Sequence, residues 1–207
     1  MRMNDEKPKS PVLLDLPLPI TTKRLVIRPV MAGDGAAMNA AKAETWEQIN
    51  IWMPWAKAMT SIDEDEETAR RAYAKFLLRE DFMMLACERD TGRPVVFTGL
   101  HRFDWNVPRF EIGYWCRKSA QGQGLVSEST NALARYAFEV LKARAVAICH
   151  ADGNDASRAV IERLGFKPEG RAVSSTMTND GIIRDHLWYS HTRVEDLPAL
   201  DVDWGPP

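Results

Sequence analysis

The sequence predicts an α/β (α+β) layered domain with a mostly antiparallel sheet, and three observations carry that expectation. Two strand–turn–helix units follow one another directly between Phe110 and Leu164. Two closing strand patterns flank Asn179-Asp180-Gly181, a strong hairpin turn signal. Strand and helix patterns are mixed throughout a chain of 207 residues, enough for one full core and short for two.

The elements run as follows. Residues 1–19 contain Pro8, Pro11, Pro17 and Pro19 and read as an irregular leader. A strand is expected at 24–29, then helical segments at 33–43, 44–50 and 63–79. A strand at 82–89 leads through the turn Asp90-Thr91-Gly92-Arg93-Pro94 to strands at 94–103 and 109–116. In the first unit, Phe110 to Cys116 is apolar and aromatic at strand length. The helix after it, Ser127 to Leu141, shows Leu133, Ala134, Ala137, Phe138 and Leu141 at spacings of three and four. The second unit has a strand at 144–150 with alternating character, then a helix at 155–164, where Gly165 suits the left-handed C-cap. Strands at 168–177 and 183–192 close the domain, which spans 20–192. The tail, 193–207, from Leu197-Pro198 to Gly205-Pro206-Pro207, reads as an extension outside the core.

Composition bounds the function. A net charge of −2 gives no global nucleic-acid signature. The charged N-terminus lacks an apolar signal region, and no run approaches a membrane span, so a cytoplasmic protein without direct nucleic-acid or membrane partners is expected. Cys87, Cys116 and Cys149 lie in apolar strand-like runs and read as buried free thiols. No His/Cys/Asp/Glu cluster has metal-ligand spacing, so no metal is expected.

The chemistry-bearing stretch is Gln121-Gly122-Gln123-Gly124-Leu125-Val126, between strand and helix. A glycine-rich turn at a helix start gathers backbone N–H groups at the positive end of the helix dipole, which suits a phosphate or pyrophosphate. The commoner phosphate motifs are absent: there is no G-x-x-x-x-G-K-[ST], and the glycines lack the dinucleotide spacing. A tight connection with no ligand is the alternative reading of such a turn.

Q-x-x-G-x-V at Gln121 to Val126, with N-x-x-S…L-G-F at Asn154 to Phe166, resembles the GNAT superfamily of acetyl-CoA-dependent N-acetyltransferases. Thr22 to Pro29 resembles that fold's first strand. Glu111-Ile112-Gly113-Tyr114-Trp115 and the Gln121–Gly124 turn resemble its RimJ/RimL-type branch, which acetylates N-terminal amines of ribosomal proteins. The resemblance covers residues 20 to 192 and implies helices on both faces of the sheet and a splayed strand pair holding the cofactor. It also implies that acetyl-CoA is the co-substrate. Amides from Gln121, Gly122, Gln123, Gly124, Leu125 and Val126 would hold the pyrophosphate, and the strand end at Trp115-Cys116 would pair with the pantetheine arm and donate an N–H to the thioester oxygen. Val126 departs from the usual small residue there. Asn154 would contact the pantetheine arm, and Ser157 would lie near the sulfur.

Many members carry a tyrosine seven residues after that asparagine as general acid; here the position is Ile161, and the resemblance passes the role to Ser157. Ser157 as a plain helix-start residue accepting a backbone N–H is the structural alternative. Glu111 is the candidate general base: its neighbours Phe110, Ile112, Tyr114 and Trp115 are apolar, and partial burial suits a carboxylate to proton transfer near neutrality. The alternative is a solvent-facing strand glutamate paired with Arg109 or Arg102. The branch's second glutamate falls at Thr176 here, a further departure. Asp185-His186, His101 and His150 are titratable positions for which structural roles are the competing reading.

For the acceptor, the segment with Trp46, Trp52, Met53, Pro54 and Trp55 resembles one wall of the family's acceptor groove. Trp105 in the Trp105-Asn106-Val107-Pro108 loop is expected to line the same groove. The run Asp63 to Glu67 would favour a cationic substrate, or simply match the dipole of a helix start. The leading acceptor is a protein or peptide N-terminal amine. A small amine, another acyl donor, a silent CoA-binding module and an unrelated nucleotide-binding protein are the rivals. A homodimer is implied by resemblance alone.

Overall fold

The computed structural model describes residues 10–206. Among them nine strands form one sheet, in the order β7-β8-β6-β5-β4-β3-β2-β1-β9. In chain order the elements are β1 (Ile20–Thr21), β2 (Leu25–Pro29), α1 (Gly35–Trp52), α2 (Ile62–Leu77), β3 (Phe82–Glu88), β4 (Pro94–Asp104), β5 (Arg109–Cys116), α3 (Leu125–Glu139), β6 (Ala145–Ala151), α4 (Asp155–Leu164), β7 (Lys167–Met177), β8 (Ile183–His191) and β9 (Asp203–Trp204). Every neighbouring pair is antiparallel except β5 and β6, which α3 joins as a crossover. The mixed, mostly antiparallel sheet expected from the sequence is present, with helices on both faces.

Alternation along the strands sorts the two faces. Phe110, Ile112, Val146 and Ile148 share a core with Ala132, Leu133 and Ala137 of α3 and Val160, Ile161 and Leu164 of α4. Leu85, Cys87 and Phe97 share the opposite core with Met38 and Ala41 of α1 and Ala69 and Ala72 of α2. α4 is bounded as the sequence suggests: Asn154 accepts the Ser157 N–H at 3.1 Å, and Gly165 takes φ 75° at the other end.

Two expectations are corrected. The helical segments at 33–43 and 44–50 are one helix, α1, because Lys42-Ala43-Glu44-Thr45 contains no breaker and both Lys42 and Thr45 are buried. The tail does not lie outside the core. Leu197 is buried, β9 pairs with β1, and the Trp204 ring meets Tyr136 edge-on at 5.4 Å. Its apolar side chains cover an edge strand that would otherwise stay open. Gly205 permits the close approach, since a Cβ there would lie 2.2 Å from the Leu18 carbonyl oxygen.

The acidic start of α2 is also occupied. Ser61 and Glu64 form a reciprocal capping box. Asp65 is fully buried, ion-paired to Lys42 of α1 and hydrogen-bonded by Asn39 at 3.0 Å and Thr60 at 2.9 Å. Glu66 accepts the N–H groups of Gly33 and Gly35. Asp65 and Glu66 tie α2 to α1 while Glu64 caps α2 itself, so of the two readings of the acidic run the helix-start one is what its bonds fulfil.

One feature of the sheet opens a site at its centre. β5 and β6 pair only through Arg109↔Ala145, Phe110↔Val146 and Glu111↔Ala147. Beyond that they diverge: from Ile112 to Cys116, β5 pairs with β4 alone, and from Ile148 to Ala151, β6 pairs with β8 alone.

Candidate active site

A cavity of about 900 Å³ occupies this divergence. It is lined on the α3/α4 face by the glycine turn, Asn154, Ser157 and Arg163, and on the α1/α2 face by Glu111, Arg102, Cys149, His186 and the end of α1. The split between the strands therefore opens a passage through the sheet. Its volume is at the upper end of the roughly 300–1,000 Å³ typical of ligand pockets.

On the α3/α4 face, Gly122 and Gly124 sit at φ 73° and φ 77°, and Gly124 is the N-cap of α3. Nothing within 4 Å would meet a Cβ on Gly122, and the nearest atom to one on Gly124 is Arg24 Nη2 at 3.7 Å, so the left-handed backbone is what requires glycine. Among the described residues, the amides of Gly122, Gln123 and Gly124 donate to no protein acceptor. Gln121 anchors the turn through its side chain, which donates to Gln48 Oε1 at 2.5 Å and Cys116 O at 3.2 Å. Leu125 is buried, and Val126, half-buried, lines the cavity beside it. Arg163 lines the same end and donates to Ser127 Oγ at 3.1 Å, a cation the sequence reading did not single out.

At the waist of the cavity, Tyr114 Oη and Ser157 Oγ lie 2.9 Å apart. Both line the cavity, and burial holds the Tyr114 phenol protonated well above its ordinary range. Ile161, at the family's tyrosine position, is fully buried in the core. A tyrosine hydroxyl thus reaches Ser157 from β5, across 43 positions of sequence. Trp115 stacks on Phe97 at 3.9 Å and 4°, which fixes the strand end that lines the cavity with Cys116. Burial pushes the Cys116 thiol up to about 11.

On the α1/α2 face Arg102 holds the Glu111 carboxylate in a fork, Nη2 to Oε1 at 2.8 Å and Nε to Oε2 at 3.2 Å. Arg102 achieves this from φ 48°, an uncommon conformation for a residue with a side chain. Cys149 Sγ donates to the same carboxylate at 3.1 Å, and burial beside that anion pushes the thiol up to about 12. Cys149 is half-buried and lines the cavity, as the buried Cys116 does, whereas the buried Cys87 does not. Arg109, the other candidate partner, pairs with Glu169 instead.

The histidines separate. His186 lines the cavity with its ring 4.3 Å from Trp188, and desolvation holds its imidazole below the ordinary value. Asp185 points the other way, ion-paired to Arg171, so the two do not act as a pair. His150 is buried against Tyr189 with Nδ1 2.8 Å from Ala151 O. His101 is bonded to Asp81 at 2.8 Å.

Of the four tryptophans assigned to the acceptor, Trp52 lines the cavity together with Met53 and Pro54. Trp55 stands behind it, 6.3 Å from Trp115 and 52% exposed. Trp46 is half-buried on α1 and does not line the cavity. Trp105 is corrected outright: it packs on Phe82, Phe103 and Phe110 and donates to Arg79 O at 2.9 Å, because the β4–β5 hairpin folds its loop back over the sheet.

The residues present fit acetyl-CoA: the unsatisfied glycine amides and Arg163 would meet the charge of a pyrophosphate, and the unpaired edges of β5 and β6 would suit an extended amide-bearing arm. Among the described residues no group of three His, Cys, Asp or Glu is arranged to hold a metal, and no helix is long and apolar enough to cross a membrane.

Comparison with known proteins agrees. Residues 24–167 match the family model described as acetyltransferase (GNAT) domain. YdaF of Bacillus subtilis, whose name assigns it provisionally as a ribosomal N-acetyltransferase, is 32% identical over 177 residues, covering 84% of this chain and 93% of that protein. The ribosomal-protein-serine acetyltransferase of Escherichia coli is 30% identical over 149 residues, covering 67% of this chain and 75% of that protein. In fold, the chain superposes on Mycobacterium smegmatis RimJ, solved in complex with CoA-disulfide, with a TM-score of 0.78 at 22% identity, over 90% of this chain and 93% of that one. The chain belongs to the GNAT acetyltransferase family and is an acyltransferase.

Proposed function

We propose that the enzyme transfers an acetyl group from acetyl-CoA directly to the N-terminal amine of a protein or peptide, within a ternary complex. The observation that carries this is the passage through the sheet, with unsatisfied glycine amides at one end and the Glu111 carboxylate at the other. The amides from Gly122 to Val126 bind the pyrophosphate, the Gln121 N–H expected to join them being given to Lys118 O at 3.2 Å instead, and Asn154 meets the pantetheine arm. The unpaired edge of β5 toward Trp115-Cys116 orients the thioester and donates an N–H to its oxygen. Glu111 accepts the proton of the attacking amine, directly or through a water. Ser157, hydrogen-bonded to Tyr114, returns a proton to the departing thiolate. Alignment of the two reactants supplies much of the acceleration, roughly 7–11 kcal/mol in favourable cases.

The acceptor class rests on the relatives that carry ribosomal-protein acetyltransferase names and on Trp52 and Met53 at the far end of the cavity. Thiol release from acetyl-CoA tests it, with N-terminal peptides of ribosomal proteins set against a panel of small amines. Turnover on the peptides is expected. Turnover confined to small amines reassigns the acceptor, and silence with acetyl-CoA bound removes acetyl transfer as the activity.

A further inference from the structure

The α1/α2 end of the cavity is bounded by two segments far apart in sequence: the end of α1 with the residues after it, and the turn between β7 and β8. The last carbonyls of a helix have no intrahelical donor. Here the donors come from Asn179. Its backbone N–H donates to Ile51 O at 3.2 Å, and its side-chain Nδ2 donates to Asn50 O at 2.8 Å, Met53 O at 2.9 Å and Ala56 O at 3.4 Å. One residue thus ties three carbonyls of a segment more than a hundred positions away with its three N–H groups, and shares a longer contact to Ala56 O, which also accepts from Asn50 Nδ2 at 2.8 Å.

Arg184 of β8 makes a second tie. Its guanidinium lies 5.0 Å from the centre of the Trp52 ring, a cation–π contact, while Nη2 donates to Asp180 Oδ2 at 3.0 Å and Nε to Thr178 Oγ1 at 3.0 Å. Asp180 in turn accepts from Thr178 and from the Ile182 N–H, so the turn is rigid in itself. The residues on both sides of the tie, Ile51, Trp52 and Met53 against Thr178 and Asn179, line the cavity. Asn179, Asp180 and Gly181 are exposed, with no buried apolar contact to hold them down. The turn is held to α1 by polar ties that a single substitution can cut.

We propose that Asn179 is a specificity-determining residue: by clasping the end of α1 it sets the width of the acceptor end of the cavity, and so which groups beside the amine are admitted. The inference rests on the acyl-transfer reading above. The glycine amides and Arg163 claim the opposite end for a polyanion, so an amine reaches the thioester from the Asn179 end. A side chain next to that amine must then pass between Met53 and the β7–β8 turn.

The test compares kcat/KM of the wild type, Asn179→Ala and Arg184→Gln on two peptides of equal length beginning with serine and with tryptophan. Acetyl-CoA affinity and Tm are measured alongside. Opening the clasp is expected to raise the tryptophan-to-serine ratio about fivefold or more in Asn179→Ala, and in the same direction in Arg184→Gln. The acetyl-CoA Kd stays unchanged within about twofold, because the cradle is at the other end of the cavity. A purely structural role lowers Tm and both kcat/KM values together with the ratio preserved, and that result overturns the proposal. An active wild type with an unchanged ratio in both variants overturns the clasp alone. A wild type inactive on these peptides and on every amine of the panel overturns the acyl-transfer reading and the clasp with it.

Discussion

Gly124 caps α3 from φ 77°, a conformation that costs a β-branched residue about 1–3 kcal/mol. Gly124→Val is therefore expected to weaken acetyl-CoA binding by about tenfold or more, measured by calorimetry, through a cradle that no longer converges. Glu111→Gln is different in kind. It keeps the shape of the side chain and can still meet Arg102 and Cys149, but it cannot accept a proton. Turnover is expected to fall by about 10²-fold or more while acetyl-CoA affinity holds. Wild-type turnover in that variant would move the base elsewhere, and His186, the cavity-lining imidazole that burial keeps from charging, would be the first place to look. At this scale the sequence was readable wherever a residue acts through its own backbone. Glycines at the turn and Asn154 at a helix start announce their work locally. The Tyr114–Ser157 contact does not, because it joins two elements that only the folded sheet brings together.

Elements with local stop signals were legible to within a residue or two: β5 from its aromatic run, and α4 from Asn154 and Gly165. Those decided by distant packing were not. Trp105 lies in a polar loop by sequence, and only the stack of Phe82, Phe103 and Phe110 makes it core. The acidic start of α2 reads in sequence as a lure for a cationic substrate or a match to the helix dipole, yet it holds a buried ion pair, with Asp65 at 0% and Lys42 at 9% side-chain exposure. Asp65→Asn leaves Lys42 without its counter-charge in the α1–α2 core. Breaking a buried pair from one side costs about 3–5 kcal/mol, so the urea midpoint should fall steeply. An unchanged midpoint would mean that Lys42 finds another partner or reaches water. Acetyl-CoA affinity per folded molecule is expected to survive, since neither residue touches the cavity.

Across the whole molecule, thiols shielded from water couple stability to pH, Cys116 and Cys149 most strongly. Cys116 and Cys149 are pushed up from 9.0 to about 11 and about 12, by burial first and in each case by a nearby carboxylate as well. The folded chain holds these protons more tightly than the unfolded one, so the stability they contribute is complete below about pH 9 and is lost as pH climbs through 11 to 12. The urea midpoint should be level from neutrality to about pH 8.5 and fall above pH 9, with a smaller fall in Cys149→Ala. A midpoint that stays level to pH 11 would mean the thiols ionise as easily in the fold as out of it.

The nine-stranded sheet is joined at its middle by only three parallel residue pairs. A ligand lying along the open edges of β5 and β6 acts as the missing length of strand, and it can do so only when the chain is folded. By mass action it then stabilises the fold by RT ln(1 + [L]/Kd), about 2.7 kcal/mol at a hundredfold excess over Kd. On the acyl-transfer reading, resistance to heat is therefore expected to follow the concentration of acetyl-CoA, and a Tm that stays level as acetyl-CoA is added in large excess would mean that this seam is not where the cofactor lies.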